Sequence, residues 1–217
     1  MLLIGRSRER LESAIGRFED RARVDVAEMD VTDERSISRI FSSLDRESID
    51  YLVVTAGQTA HGPFAETPVG DFRRMFDSKF WGAYEVSRMA VPHLREHAAI
   101  VFVSGVLSRR PGVNCAALGA ACAAVEALTR GMALELGPRL RVNCIAPGMV
   151  RTELHNRIPE DRREAIFEAT GSSLPIGRIG TPEEVAEAVL LAATNGYMTG
   201  QVIDVDGGHT IRQYANR

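Results

Sequence analysis

Lysine is almost missing from this chain. Of its 217 residues only Lys79 carries an ammonium side chain, and every other basic residue is arginine. A coding bias toward arginine accounts for the scarcity but not for the position of the exception. Cysteine is scarce as well: three residues, an odd number, with no C-x-x-C or His spacing, which argues against a metal site and fits a reducing cytoplasm. Charge of one sign is not in excess. The net charge is −3 and the arginines are interleaved with acids, so there is no electrostatic case for nucleic acid. Long apolar runs are absent too. The longest, Cys115 to Val125, is too short to span a bilayer and suits a buried helix. The apolar start is broken at Arg6, so it does not read as a signal peptide. No linker, repeat or low-complexity tract is present.

What remains is an ordinary globular composition, 45% hydrophobic and 25% charged, expected to form one domain over residues 1–217 with a substantial core. Strand and helix patterns alternate. Met1–Gly5, Val24–Val26, Tyr51–Thr55, Ile100–Ser104, Arg141–Ile145 and Gln201–Val205 read as strands. Ser7, Asp33 and Thr67-Pro68 are placed to open helices, and Thr181-Pro182-Glu183-Glu184 reads as a capping box for a helix reaching about Ala193. This order predicts an α/β fold, a doubly wound parallel sheet with helices on both faces.

The helical stretch Ala123-Ala124-Val125-Glu126-Ala127-Leu128-Thr129-Arg130, with Ala133-Leu134-Glu135-Leu136, resembles the catalytic helix of the short-chain dehydrogenases/reductases. In that family the helix opens Y-x-x-x-K and the preceding strand ends S-S. Here the Tyr position holds Leu118, the Lys position holds Cys122, and the strand ends Ser104-Gly105. The resemblance covers nearly the whole chain but begins at the family's second strand. No G-x-x-x-G-x-G phosphate loop occurs near Met1, so the first strand is absent from the sequence. Two readings of that absence stand: a misplaced start site or a truncated sequence, or a short chain that binds dinucleotide poorly. Losing two or three charge-assisted hydrogen bonds at ~1.5–3 kcal/mol each would weaken affinity on the order of a thousandfold or more.

The resemblance implies a cofactor and the residues that hold it. Gly5-Arg6-Ser7 resembles the NADP-preferring pattern: a guanidinium can grip a 2′-phosphate, and Ser7 or the helix N-terminus can add donors. A surface arginine on an arginine-rich helix is the plain alternative. Asp30-Val31 resembles the adenine contact, and Thr55-Ala56-Gly57 resembles the N-A-G turn beside the ribose and pyrophosphate. Pro147-Gly148-Met149-Val150-Arg151-Thr152 resembles the turn against nicotinamide, with the backbone near Val150 and the Thr152 side chain on the carboxamide. NADP(H) is therefore expected over NAD(H). Residues 153–177 resemble the substrate lid, which carries Arg157, Arg162 and Arg163. Asp204–Gly208 matches the last strand, and His61 and Thr59 lie in a loop that often borders substrate.

The catalytic set is where the chain departs from its family. Leu118 cannot transfer a proton, Gly105 has no hydroxyl, and Cys122 reads as inert packing. Two residues are candidates to compensate. Ser104 stands one position before the usual Ser, and Lys79 occupies the position of an Asn on the preceding long helix. A lysine, unlike an arginine, can be brought to proton transfer by burial. The alternatives are a strand-ending serine and a surface lysine paired with Asp77 or Glu85. The expected function is hydride transfer between nicotinamide and a small carbonyl or alcohol substrate in a homodimer or homotetramer. The competing expectation is a non-catalytic sensor or partner subunit, with a fragment unable to fold alone as a weaker third.

Overall fold

The computed structural model describes residues 1–156 and 158–212. The apolar start forms β1 (Leu2–Gly5), which pairs in parallel with β2 (Asp25–Glu28), Leu2 opposite Asp25 and Gly5 opposite Glu28. Between them Ser7 caps α1 (Arg8–Ile15), its Oγ accepting from the Arg10 amide at 3.4 Å. Asp33 caps α2 (Glu34–Ser42) by accepting from the Arg35 amide at 3.0 Å. The remaining strands, β3 (Ile49–Val54), β4 (Leu94–Val103), β5 (Arg141–Pro147) and β6 (Val202–Val205), form a four-stranded parallel sheet in chain order. This is the α/β, Rossmann-like arrangement that the alternating pattern predicts.

The two faces of the large sheet are covered unequally. Leu52, Val54, Ile100, Phe102, Val142 and Cys144 share one face. Onto it pack α2, α4 (Gly82–Ala90) and α5 (Ala116–Leu136), through Ile37, Phe41, Val86 and Val125. On the opposite face Val101, Ile145 and Ile203 lie under Ala192 and Ala193 of α7 (Pro182–Thr194). Alternation along β3 places Tyr51 and Val53 on this second face, where they stay 53% and 42% exposed. Strands of a parallel sheet are normally covered on both sides. Here the cover stops at β4, and β1 and β3 are not hydrogen-bonded to each other. The described strands therefore form two sheets, β1-β2 and β3-β4-β5-β6.

Three sequence expectations need correction. The second strand is Asp25–Glu28, shifted from Val24–Val26, because Val24 is the C-cap of a short 3-10 turn. Thr67 does not cap the next helix; its hydroxyl donates to the Pro63 carbonyl at 2.9 Å, and α3 runs Val69–Phe76. β4 starts at Leu94 rather than Ile100. Its polar Arg95-Glu96-His97 stretch leaves the ladder, with His97 at φ 66, so that Ile49 faces Leu94 while Tyr51 faces Ala99. Helix α5 is apolar and long enough to cross a membrane by length and composition. Reading only the run from Cys115 to Val125 understated that, since Glu126 interrupts the run. Glu126 is itself buried and bonded, and Leu118, Ala121, Val125 and Thr129 face the core beside it, as in a core helix.

Candidate active site

The C-terminal ends of the strands open onto a crevice, where open α/β sheets bind ligands. On one side Ile4, Gly5, Arg6, Asp30 and Val31 meet Leu52 to Gln58 around a cavity of about 270 Å³. Arg6 is exposed at the lip, and among the described residues no carboxylate lies within ion-pair distance of it. Asp30 is fixed in place: its Oδ1 accepts from the Thr32 amide at 2.9 Å and the Thr32 hydroxyl at 2.8 Å. These bonds, first the backbone one and then the side-chain one, hold its carboxyl below the usual carboxylate range, with a further pull from Arg6. Val31 is held by contact: a Cβ on Gly82 would come within 2.7 Å of its side chain, so α4 reaches the crevice wall only because that residue is glycine.

Thr55, Ala56 and Gly57 are exposed along the crevice and are held from below. The Gln58 amide donates to Ser78 Oγ at 2.9 Å, and a Cβ on Gly57 would meet the Lys79 side chain at 3.3 Å. At the other end the Gly148 amide donates to the Val205 carbonyl at 3.0 Å, and a Cβ on Gly148 would collide with the Asp206 backbone. Val150 bridges in parallel to Gly180: the Arg151 amide donates to the Gly180 carbonyl, and the Gly180 amide to the Met149 carbonyl. In that pattern the flanking groups make the bonds, so the amide and carbonyl of Val150 itself point the other way. Thr152 is the N-cap of the 3-10 turn Glu153–His155. The lid-like segment then forms α6 (Glu160–Ser173), tied back where Arg151 donates to Glu164 at 2.6 Å and lies 4.7 Å from the Phe167 ring. Arg157 lies outside the described residues; Arg162 is exposed, and Arg163 donates to Asn156 at 3.1 Å.

Helices α3 and α4 are joined by a π-helical turn, Asp77–Trp81, and Lys79 sits in it. Such turns concentrate at functional sites. Lys79 is half-buried, and its Nζ donates to the carbonyls of Ser104 at 3.2 Å and Val103 at 3.4 Å. Neither Asp77 nor Glu85 pairs with it among the described residues. Burial pushes the Cys122 thiol up, and the Lys79 charge opposes this, so the ammonium stands beside the position that holds lysine elsewhere in the resemblance. Leu118 is buried with Met75, Ala121 and Cys122, so the tyrosine position is apolar packing.

Ser104 corrects the sequence reading. Its hydroxyl is not free to face a carbonyl: it donates to Oε1 of buried Glu126 at 3.0 Å. Ser108 Oγ donates to the same oxygen at 2.6 Å, and Arg109 donates to Oε2 at 2.6 Å and also bonds Asp204. The sequence held a signal for this network that was passed over, a carboxylate inside an otherwise apolar helical stretch. On the rim, His61 Nδ1 lies 3.4 Å from Cys115 Sγ.

A parallel sheet whose strand ends open on such a crevice defines a protein of the dinucleotide-binding α/β class. Residues 1–210 match the family model described as "Enoyl-(Acyl carrier protein) reductase". The 3-oxoacyl-[acyl-carrier-protein] reductase FabG of Thermotoga maritima is 33% identical over 213 residues, 94% of this chain and 85% of the relative. A small-chain dehydrogenase crystallised in complex with NADPH superposes with a TM-score of 0.82 at 39% identity, covering 87% of each chain. Ligand-free aldohexose dehydrogenase of Thermoplasma acidophilum superposes at 0.86 with 28% identity, covering 100% of this chain and 96% of its own. The chain belongs to the short-chain dehydrogenase/reductase family, whose named members here are dehydrogenases and reductases.

Proposed function

We propose that this chain is an NADP(H)-type oxidoreductase of that family with a non-standard proton-handling site, acting on a small carbonyl or alcohol. The observation that carries the reading is the placement of Lys79, a half-buried ammonium held on the Ser104 and Val103 carbonyls beside Cys122. The residues present fit two parts of the cofactor. Arg6, exposed at the lip and in no ion pair among the described residues, suits a 2′-phosphate, and Asp30, Val31 and Thr55–Gly57 line the adenosine side. The outward amide and carbonyl of Val150 suit a carboxamide, with Thr152 beside them. The relative solved with NADPH supports the same preference.

Nicotinamide, when bound, supplies or accepts the hydride at the substrate carbon. The chain's own part is the proton on the substrate oxygen. Lys79 gives or takes it directly or through one water, and the Ser104 backbone carbonyl holds the ammonium in place. The Ser104 hydroxyl works on Glu126 and thereby positions the end of β4. We also propose a homodimer or homotetramer, with residues 153–177 serving as a lid over the substrate.

The test is a carbonyl panel with NADPH, followed by Lys79→Ala and Lys79→Met. Turnover is expected to fall ~10²–10⁴-fold while NADPH affinity, read by nicotinamide fluorescence, stays near that of the parent. NADPH binding with no turnover on any substrate would favour the non-catalytic sensor or partner subunit instead.

A further inference from the structure

Away from Lys79, three segments of the chain meet at one thiol. Cys115 is the N-cap of α5, and its side chain makes no cap bond. Asn114, at φ 63, turns the chain into the helix. The Gly62 amide donates to the Asn114 carbonyl at 3.0 Å and so pins the loop that carries His61. Ala60, on the same loop, packs against the Leu118 and Met75 cluster, next to the tyrosine position of the family. His61 Nδ1 and Cys115 Sγ are in contact at 3.4 Å. Burial pushes the Cys115 thiol up and the His61 imidazole down, so both are neutral at rest. With Nδ1 unprotonated, the thiol donates to it. A neutral imidazole on a thiol is an activated nucleophile, because a base is at hand when the sulfur attacks. The N-terminal end of a 21-residue helix favours the negative charge that develops. Cys122 and Cys144 are buried; Cys115 is not.

The surroundings indicate the ligand. Phe64, Val113 and Leu154, one on each segment, are 80%, 91% and 55% exposed. His155, next to Leu154, has a buried Nδ1 with no hydrogen-bond partner among the described residues. Burial first, and then the charge of nearby His61, push its imidazole down. A sheltered nitrogen without a partner calls for one. Exposed apolar groups around a thiol, with one polar atom unpartnered, suit an apolar compound that is electrophilic at carbon and carries an oxygen. We propose that Cys115, with His61 as its base, is a covalent capture site for apolar α,β-unsaturated ketones and aldehydes. The sulfur bonds to the β-carbon as the carbon–carbon π bond breaks. The thiol proton passes to His61 Nδ1 and from there to the α-carbon. Nothing is oxidised or reduced, and no co-reactant is consumed. The carbonyl oxygen supplies the partner that His155 lacks, and the apolar substituent lies against Phe64 and Val113. The site goes beyond the hydride chemistry assigned to Lys79 and does not depend on it.

The probe is benzylideneacetone, incubated with the full chain without nucleotide and followed by intact-mass spectrometry, with the modified residue read from peptide fragmentation. A single adduct on Cys115 is expected, and Cys115→Ser should abolish it. His61→Ala should slow it about tenfold or more, and imidazole added to the solution should restore part of the rate, which a merely structural role for His61 would not allow. Relative to their reactions with free glutathione, benzylideneacetone should be favoured over methyl vinyl ketone, which has no apolar substituent. The reverse order overturns the ligand class. An adduct on Cys122 or Cys144 instead, an equal rate in His61→Ala, or no adduct with excess probe overturns the site. A chain that forms the adduct but turns over no carbonyl with NADPH keeps the capture site and loses the reading of Lys79; turnover without an adduct does the opposite.

Discussion

In the four-stranded half of the sheet Ile100, Val101, Phe102, Val142 and Ile145 have no exposed surface, whereas no residue of β1 or α1 is buried. Both halves are built from similar apolar strands joined by capped helices. They differ in neighbours. Strands β4 and β5 are paired on both edges and covered on both faces; β1 is paired on one edge. Burial here is a property of position in the sheet, and a Leu-Leu-Ile strand without a second neighbour stays half-wet. The proposed cofactor crevice spans this divide, so its two walls are held with unequal strength.

Paired core substitutions give the largest contrast. Phe102→Ala should cost about 3–5 kcal/mol in urea unfolding, the range for emptying a fully buried aromatic site. Ile4→Ala, on a half-buried strand, should cost about 1–2 kcal/mol. Equal costs would mean that β1 is packed as tightly as the core of the large sheet and that the break carries no energetic meaning.

Polar deletions sharpen the same contrast at smaller scale. Glu126→Leu, in the large half, removes the acceptor shared by Ser104, Ser108 and Arg109. Arg109 keeps Asp204, so the expected loss is about 2–3 kcal/mol. Asp30→Ala, in the small half, removes only the two Thr32 bonds of an open turn and should cost about 0.5–1.5 kcal/mol. A Glu126→Leu variant as stable as the parent would show the buried network to be neutral, as some buried ion pairs are.

Much of this was legible in the sequence because local chemistry carried it. Ser7, Asp33 and Thr181 cap the helices they precede, and the parallel pairing follows from the alternation of strand and helix. The π-helical turn at Lys79 was not legible, since its residues read as ordinary helix; only the isolated lysine marked the place. Ser104 was misread because the direction of a hydroxyl depends on Glu126, 22 residues later in sequence and adjacent only after folding. Thr67 and the start of β4 failed for a related reason. A hydroxyl found a nearer carbonyl, and a polar insertion left the ladder, and neither choice shows in a pattern of apolar residues.

The smallest expected effect compares the caps of α7 and α1, the helices of the two halves. In α7 the capping is reciprocal: the Thr181 amide donates to Glu184 Oε2 at 2.9 Å, and the Glu184 amide donates to Thr181 Oγ1 at 3.4 Å. Arg178 adds bonds to both carboxylate oxygens at 2.6 and 2.9 Å. The Arg178 bond, and after it the Thr181 amide, hold the Glu184 carboxyl at about 2, against an ordinary 4.5. A carboxyl lowered on folding stabilises fully above its unfolded value and progressively less as pH falls toward its folded one. The difference in unfolding midpoint between the parent and Glu184→Gln should therefore be constant from neutral pH down to about 5, then shrink and vanish near 2. Helix α1 has only the Ser7 bond, so Ser7→Ala should cost about 0.5–1 kcal/mol, with no step across that pH window. If the Glu184 difference persists undiminished at the acid end, its carboxylate is not what secures α7, and the contrast between the two caps reduces to Thr181 against Ser7.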